Sequence, residues 1–141
     1  MYILDTDLFS LTDRSDSPAS QRLRFRLSGL GNDELATTIV TFEEQTRGWL
    51  AWLAKAKSLV EQVERYRSLK RMLGSYRNVT VLDFDEKAAA EFERLQKQRI
   101  RIGTMDLKIA AIALAHKATL LSRNLRDFSR VPDLKVEDWS V

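Results

Sequence analysis

The chain has 141 residues, 44% of them hydrophobic, enough for one ordinary domain with its own core and no need of disulfides. It contains no cysteine, which excludes thiol catalysis and cysteine-held zinc, so any metal has to be held by oxygen. Lys and Arg number 23 against 20 Asp and Glu, a net charge of +3 that is compatible with an RNA partner without demanding one. The opening MYILDTDLFSL is no secretory leader and no run of roughly 18 apolar residues occurs, so a cytoplasmic protein without a membrane span is expected.

Taken in chain order, YIL reads as a short buried strand that runs abruptly into the acidic DTD. SDSPAS supplies turn formers and a proline suited to a helix start; QRLRFRLSGL then forms a short amphipathic helix that Gly29 and Gly31 stop. The β-branched ELATTIVT predicts a second strand, with helical spacing from Phe42 onward and the pair Glu43-Glu44 at the junction. Trp49, Leu50 and Leu53, then Leu59, Val60, Val63, Tyr66, Leu69, Leu73 and Tyr76, predict two long helices packed as a hairpin.

NVTVLDF is a third strand, and Asp83 or Asp85 can cap the alanine-rich helix EKAAAEFERLQKQ. Thr104 is the expected N-cap of the most apolar helix, DLKIAAIALAHKA. TLLS is a fourth strand, followed by a polar loop RNLRDF, a turn at VPD and an edge strand LKVEDW. Strands alternating with helices imply a three-layer α/β/α fold around a parallel sheet of four to five strands, with no second domain.

In open sheets of this kind, sites form beyond the carboxyl ends of the strands. Asp5 and Asp7 follow the first strand, Glu43 and Glu44 the second, and Asp127 lies soon after the fourth, while Asp106 opens a helix leading into the same layer. Carboxylates gathered in one cleft repel, so they take up protons or collect a cation, and hard ions such as Mg²⁺ and Mn²⁺ suit oxygen ligands. Such an ion can activate a water and stabilise charge on a phosphodiester, so no side-chain nucleophile is required. None offers itself: His116 lies deep in a helix, and no nucleophile elbow, P-loop or dinucleotide fingerprint occurs.

Plainer readings stand beside these. Asp106 can serve its helix dipole, Asp127 and Asn124 can be turn residues, and Asp83 and Asp85 caps. Asp5 resists such a reading, since it ends an apolar strand with no basic neighbour close in sequence. The bases Lys55, Lys57, Arg65, Arg67, Lys70, Arg71 and Arg77, and Lys97, Arg99 and Arg101, can form solvated helix faces. Trp49, Trp52 and Trp139 suit a core or an interface, and an interface is favoured for the first two.

The ordered motifs resemble those of the PIN-domain family, and within it the VapC-like toxins of toxin–antitoxin modules. YILDTD resembles the strand-one signature, with Asp5 as first acid and Asp7 at a neighbouring polar position. TTIVTFEEQTRG resembles the second motif, where Thr41, Glu44 and Gly48 meet the spacing and select Glu44 over Glu43. GTMDLKIAAIALAHKATLLSRNLRDFSRVPDLKVEDW resembles the C-terminal half, with Asp106 as third acid, Asn124 and Asp127 as the late polar pair and Phe128 behind them. Ser122 stands where Thr is common, Phe42-Glu43 replaces an apolar-Ala pair, and residues Lys55 to Arg71 carry no motif of the family.

The resemblance implies a PIN-like domain over 1–141 that cleaves RNA phosphodiesters, often in structured RNA such as tRNA. It also implies a homodimer restrained by a cognate VapB-like antitoxin. Asp5 and Asp106 are then expected to be direct Mg²⁺ or Mn²⁺ ligands, and Glu44 and Asp127 to hold a second ion or orient the attacking water. Asn124, Ser122 and Asp7 are expected to support that shell, and Arg99 and Arg101 to guide the phosphate backbone. Two other classes compete: a PIN-type RNA- or protein-interaction module without activity, and a haloacid-dehalogenase-like phosphatase with Asp5 as nucleophile, whose later acidic motif is missing here.

Overall fold

The structure is a computed structural model that describes residues 1–13 and 16–141. Its elements are β1 (Tyr2–Leu4), α1 (Thr6–Asp13), α2 (Pro18–Leu27), a 3-10 turn (Asn32–Glu34), β2 (Leu35–Thr38), α3 (Ile39–Ala54) and α4 (Leu59–Ser75). There follow β3 (Thr80–Leu82), α5 (Glu86–Lys97), α6 (Thr104–Ala115), β4 (Thr119–Leu121), α7 (Leu125–Phe128) and β5 (Lys135–Glu137). The five strands form one parallel sheet in the order β3-β2-β1-β4-β5. β1 is central, with Ile3 in register with Ala36 of β2 on one side and Leu120 of β4 on the other.

A strand alternates its side chains between faces, and here the alternation divides the core in two. Ile3, Ala36 and Leu120 pack with Val40, with Leu95 of α5 and with Leu107, Ile109 and Ile112 of α6, and Phe128 closes that cluster. Leu4 and Leu121 face the opposite way, against Leu8, Phe9 and Leu11 of α1, Leu23 of α2 and Trp139. Helices therefore cover both faces, and strands buried on both sides read as the unbroken apolar runs YIL and TLL. α6 is apolar around most of its circumference because it lies between the sheet and α5, with Leu107 and Ile109 to Ala113 all buried.

Most sequence boundaries hold, with physical exceptions. α1 has no counterpart among the elements expected from sequence; it forms because Asp5 Oδ1 accepts the Leu8 N–H at 2.8 Å, capping a segment whose apolar face is buried. The second strand is shorter than ELATTIVT: the Thr38 hydroxyl accepts the Thr41 N–H at 3.0 Å, so Ile39, Val40 and Thr41 start α3 despite their β-branching. Asp85, not Asp83, caps α5. Thr104 is the first residue of α6 rather than its cap, and Gly103 holds the cap position without a side-chain bond. RNLRDF is not a loop throughout, since Asn124 caps the short α7.

The α3 and α4 hairpin and the edge strand β5 form as expected. Pro18 opens α2 behind the Ser17 cap, whereas Ser15, where the SDSPAS turn begins, lies outside the described residues. α5 and α6 end without glycine, on Arg99 and Lys117 in the left-handed region at φ 58° and 52°. Replacing the α5 cap, Asp85→Ala, is expected to lower stability by about 1 kcal/mol. Urea denaturation measures this, and an unchanged midpoint would show that the cap contributes nothing.

Candidate active site

Strand order reverses direction at β1, with β2 and β3 to one side and β4 and β5 to the other. The crevice beyond the carboxyl ends of β1 and β4 is therefore the topological switch point, where such sheets bind ligands. Asp5 follows β1 directly and is 5% exposed; Ser122 follows β4 directly and is fully buried. Glu44 enters from the second turn of α3, Asp106 from the first turn of α6 and Asp127 from α7.

Electrostatic coupling shows that these acids share one region. Burial pushes the Asp5 carboxyl up to about 6, with Asp7 and Asp106 adding repulsion, while hydrogen bonds from Ser122 and the Leu8 N–H act against it. Asp106 is likewise raised, first by burial and then by the negative charges of Glu44 and Asp127. None of the ion pairs among the described residues involves Asp5, Glu44 or Asp106. The fold thus places several carboxylates together and leaves part of their mutual repulsion uncompensated.

The surrounding polar groups are ordered. Asn124 Oδ1 accepts the Asp127 N–H at 3.3 Å, and its Nδ2 donates to Asp127 Oδ2 at 3.0 Å, so one side chain fixes both backbone and carboxylate. Ser122 Oγ accepts the Asn124 N–H at 2.9 Å, linking the end of β4 to that arrangement. Asp7 is exposed and forms a two-point ion pair with Arg123, at 2.6 and 2.8 Å, which ties the start of α1 to the loop after β4. Glu43 pairs with Arg47 at 2.6 Å along α3, whereas Glu44 takes a hydrogen bond from Thr6 at 2.5 Å across to α1.

Arg99 and Arg101 are exposed in the connection between α5 and α6, and the Arg101 carbonyl accepts from Arg130 at 2.9 Å. Arg130 in turn lies 3.9 Å from Asp127, placing this connection beside the acidic rim. Sequence reasoning passed over Thr6, Arg123 and Arg130. Thr6 adjoins Asp5 in sequence, but only the packing of α1 on α3 brings it to Glu44. A cavity of about 690 Å³ lies elsewhere, between α1, α3 and α4, where Ser10, Gln45, Trp49 and Met72 line it. Trp52 is exposed beneath Arg65, so neither it nor Trp49 belongs to the central core.

The donor set fits a hard divalent cation. It consists of carboxylate oxygens whose charge is held up by repulsion, which a cation would relieve. Among the described residues no three or more His, Asp or Glu side chains stand close enough together to hold a metal ion.

The fold and site together define an open, all-parallel α/β domain with an acidic cluster at its switch point. Residues 2–134 match the PIN domain, and the chain belongs to that family. It is similar over 143 residues to the tRNA(fMet)-specific endonuclease VapC of Shigella flexneri, at 29% identity covering 99% of this chain and 98% of that protein. Among solved structures, VapBC-1 from nontypeable Haemophilus influenzae superposes with a TM-score of 0.78 at 26% identity, covering 99% of this chain and 98% of that one. FitAcB from Neisseria gonorrhoeae shares the fold, with a TM-score of 0.75 at 22% identity and 99% and 98% coverage.

The raised Asp5 has a defined consequence for stability. Its folded pKa of about 6 exceeds the ordinary 3.8, so the contribution is fully present below about pH 4 and lost as pH rises through about 6. About two pKa units correspond to about 3 kcal/mol. Metal-free Asp5→Asn, whose amide oxygen can still cap Leu8, is therefore expected to be more stable than the parent at pH 7.5 and to lose the advantage near pH 4. Thermal melts at the two pH values check this, and parallel pH dependence in both proteins would refute the assignment.

Proposed function

We propose that this chain is a metal-dependent endoribonuclease and the toxin of a toxin–antitoxin pair, acting as a single PIN-like domain in the cytoplasm. The observation that carries the reading is the coupled acidic site: Asp5 and Asp106 both raised by burial, with Asp7 and Asp106 acting on Asp5, and Glu44 and Asp127 on Asp106. The relatives at near-full coverage bear names that specify tRNA or RNA cleavage and VapBC assemblies, which supports RNA as substrate and a VapB-like antitoxin as partner.

Asp5 and Asp106 are the residues that would hold Mg²⁺ or Mn²⁺. When bound, the ion supplies an activated water and stabilises the negative charge that develops on the phosphodiester. Glu44, hydrogen-bonded by Thr6, would orient the attacking water or help hold a second cation. Asp127, held by Asn124, faces the same region, and Ser122 fixes the loop that carries both. Arg101, whose carbonyl is bonded by the Arg130 that reaches Asp127, and the exposed Arg99 in the same connection would draw in the phosphate backbone. A homodimer and a structured RNA such as tRNA complete the reading.

Purified protein with Mn²⁺ or Mg²⁺ is expected to cut total bacterial RNA at discrete positions, and chelation is expected to stop it. Asp106→Asn should reduce the cleavage rate by at least about a hundredfold, the scale of losing a metal-assisted step. An unchanged rate would remove Asp106 from the site, and no cleavage by a folded, metal-bound parent would favour the interaction module. Charge reversal at Arg99 and Arg101 together is expected to weaken RNA binding and flatten its salt dependence by about one unit of log–log slope per lost phosphate contact. A salt slope unaltered by the reversal would place the RNA elsewhere.

A further inference from the structure

Glu44 is a half-buried carboxylate within electrostatic reach of Asp106, and none of the ion pairs among the described residues engages it, Arg47 being taken by Glu43. Its side chain is nevertheless held. Thr6 Oγ1 lies 2.5 Å from Glu44 Oε1, a separation typical of a hydroxyl donating to an ionised carboxylate. Behind Thr6 stands a line of hydroxyls: Thr6 Oγ1 is 3.3 Å from Thr41 Oγ1, which is 3.3 Å from Thr38 Oγ1. Thr38 Oγ1 is anchored in turn by accepting the Thr41 N–H at 3.0 Å. Thr38 and Thr41 are fully buried, so water does not compete for their bonds.

Each hydroxyl has one proton, so Thr6 cannot donate to Glu44 and to Thr41 at once. If Thr6 donates to Glu44, its oxygen is free to accept from Thr41, and Thr41 can accept from Thr38. All three protons then point toward Glu44. The same line spans two elements, because Thr6 begins α1 directly after Asp5 while Thr38 and Thr41 lie at the start of α3. The bond between Thr6 and Glu44 therefore sets the position of the α3 acid relative to Asp5 at the end of β1.

We propose that Thr6 is a positioning residue that holds the Glu44 carboxylate in a single orientation toward Asp5 and Asp106, with Thr41 and Thr38 bracing it. The proposal rests on the nuclease reading above for its catalytic consequence, but the holding of Glu44 is a property of the metal-free protein. Thr6→Val keeps the shape of the side chain and removes the donor. Thr6→Ser keeps the donor.

The test combines turnover on a defined RNA with NMR of the Glu44 side-chain carboxyl carbon in the metal-free protein. Thr6→Val is expected to lower kcat by about tenfold with KM little changed, and Thr6→Ser to restore it, the scale of losing a partner that orients an active-site carboxylate. The Glu44 carboxyl resonance should move toward that of a freely rotating glutamate in Thr6→Val and stay in place in Thr6→Ser. On a Glu44→Gln background, Thr6→Val should add no further loss.

If Thr6→Val folds poorly, Thr41→Val takes its place, with an expected fall of about threefold and a smaller NMR shift, in keeping with one net hydrogen bond of bracing. Parent-like kcat and an unmoved Glu44 resonance in Thr6→Val would overturn the proposal, as would an equal loss on the Glu44→Gln background. A parent protein that shows the Glu44 response but cuts no RNA would instead overturn the nuclease reading while upholding the hold on Glu44.

Discussion

The structure depends on burying mutually repelling carboxylates at the place where a parallel sheet changes direction. Burial and neighbouring negative charge both work against ionised Asp5 and Asp106, so the site stores unfavourable electrostatic energy that the apolar layers around it must outweigh. Those layers are substantial: Ile3 and Leu4 immediately before Asp5, and Leu120 and Leu121 immediately before Ser122, are buried on both faces of the sheet. β1, buried on both faces, thus leads directly into an unfavourable charge at Asp5.

That arrangement explains the disposition of the polar side chains. Asp5 caps α1, Asn124 fixes both the backbone and the carboxylate of Asp127, and Ser122 holds the turn between them. Guanidinium groups are kept at the rim: Arg123 is engaged by Asp7, and Arg130 bridges the Arg101 carbonyl toward Asp127. Neither forms an ion pair with Asp5 or Asp106, so the negative potential that would attract a cation persists. A residue such as arginine inserted there would stabilise the fold and abolish that potential, which is a plain trade between stability and function.

The helical layers do different work. α5 and α6 pack on one face with apolar side chains and present Asp106 from the first turn of α6, where the helix dipole favours a negative group. α1 and α2 cover the other face, and α1 carries Thr6 and Asp7 at its start. The hairpin of α3 and α4 leaves Leu59, Val60, Tyr66 and Leu73 exposed, together with the cavity beside Trp49 and Met72. Its amphipathic spacing was legible in the sequence, although spacing does not distinguish a face packed on the core from one left open.

The sequence by itself determined the layered parallel fold, because the short apolar runs YIL and TLL, separated by helical periodicity, can be buried only between helices. It also singled out Asp5, Asp106 and Asp127, which stand where a strand ends or a helix begins, and resemblance to the PIN family's second motif favoured Glu44 over its neighbour Glu43. Elements stabilised by side-chain caps escaped it: α1 depends on Asp5, the early start of α3 on Thr38, and α7 on Asn124. Only the tertiary structure decided which charges meet. Asp7 finds Arg123 at a separation of 116 residues and Thr6 finds Glu44 at 38, and contacts so distant in sequence follow from sheet order and helix packing rather than from any local pattern.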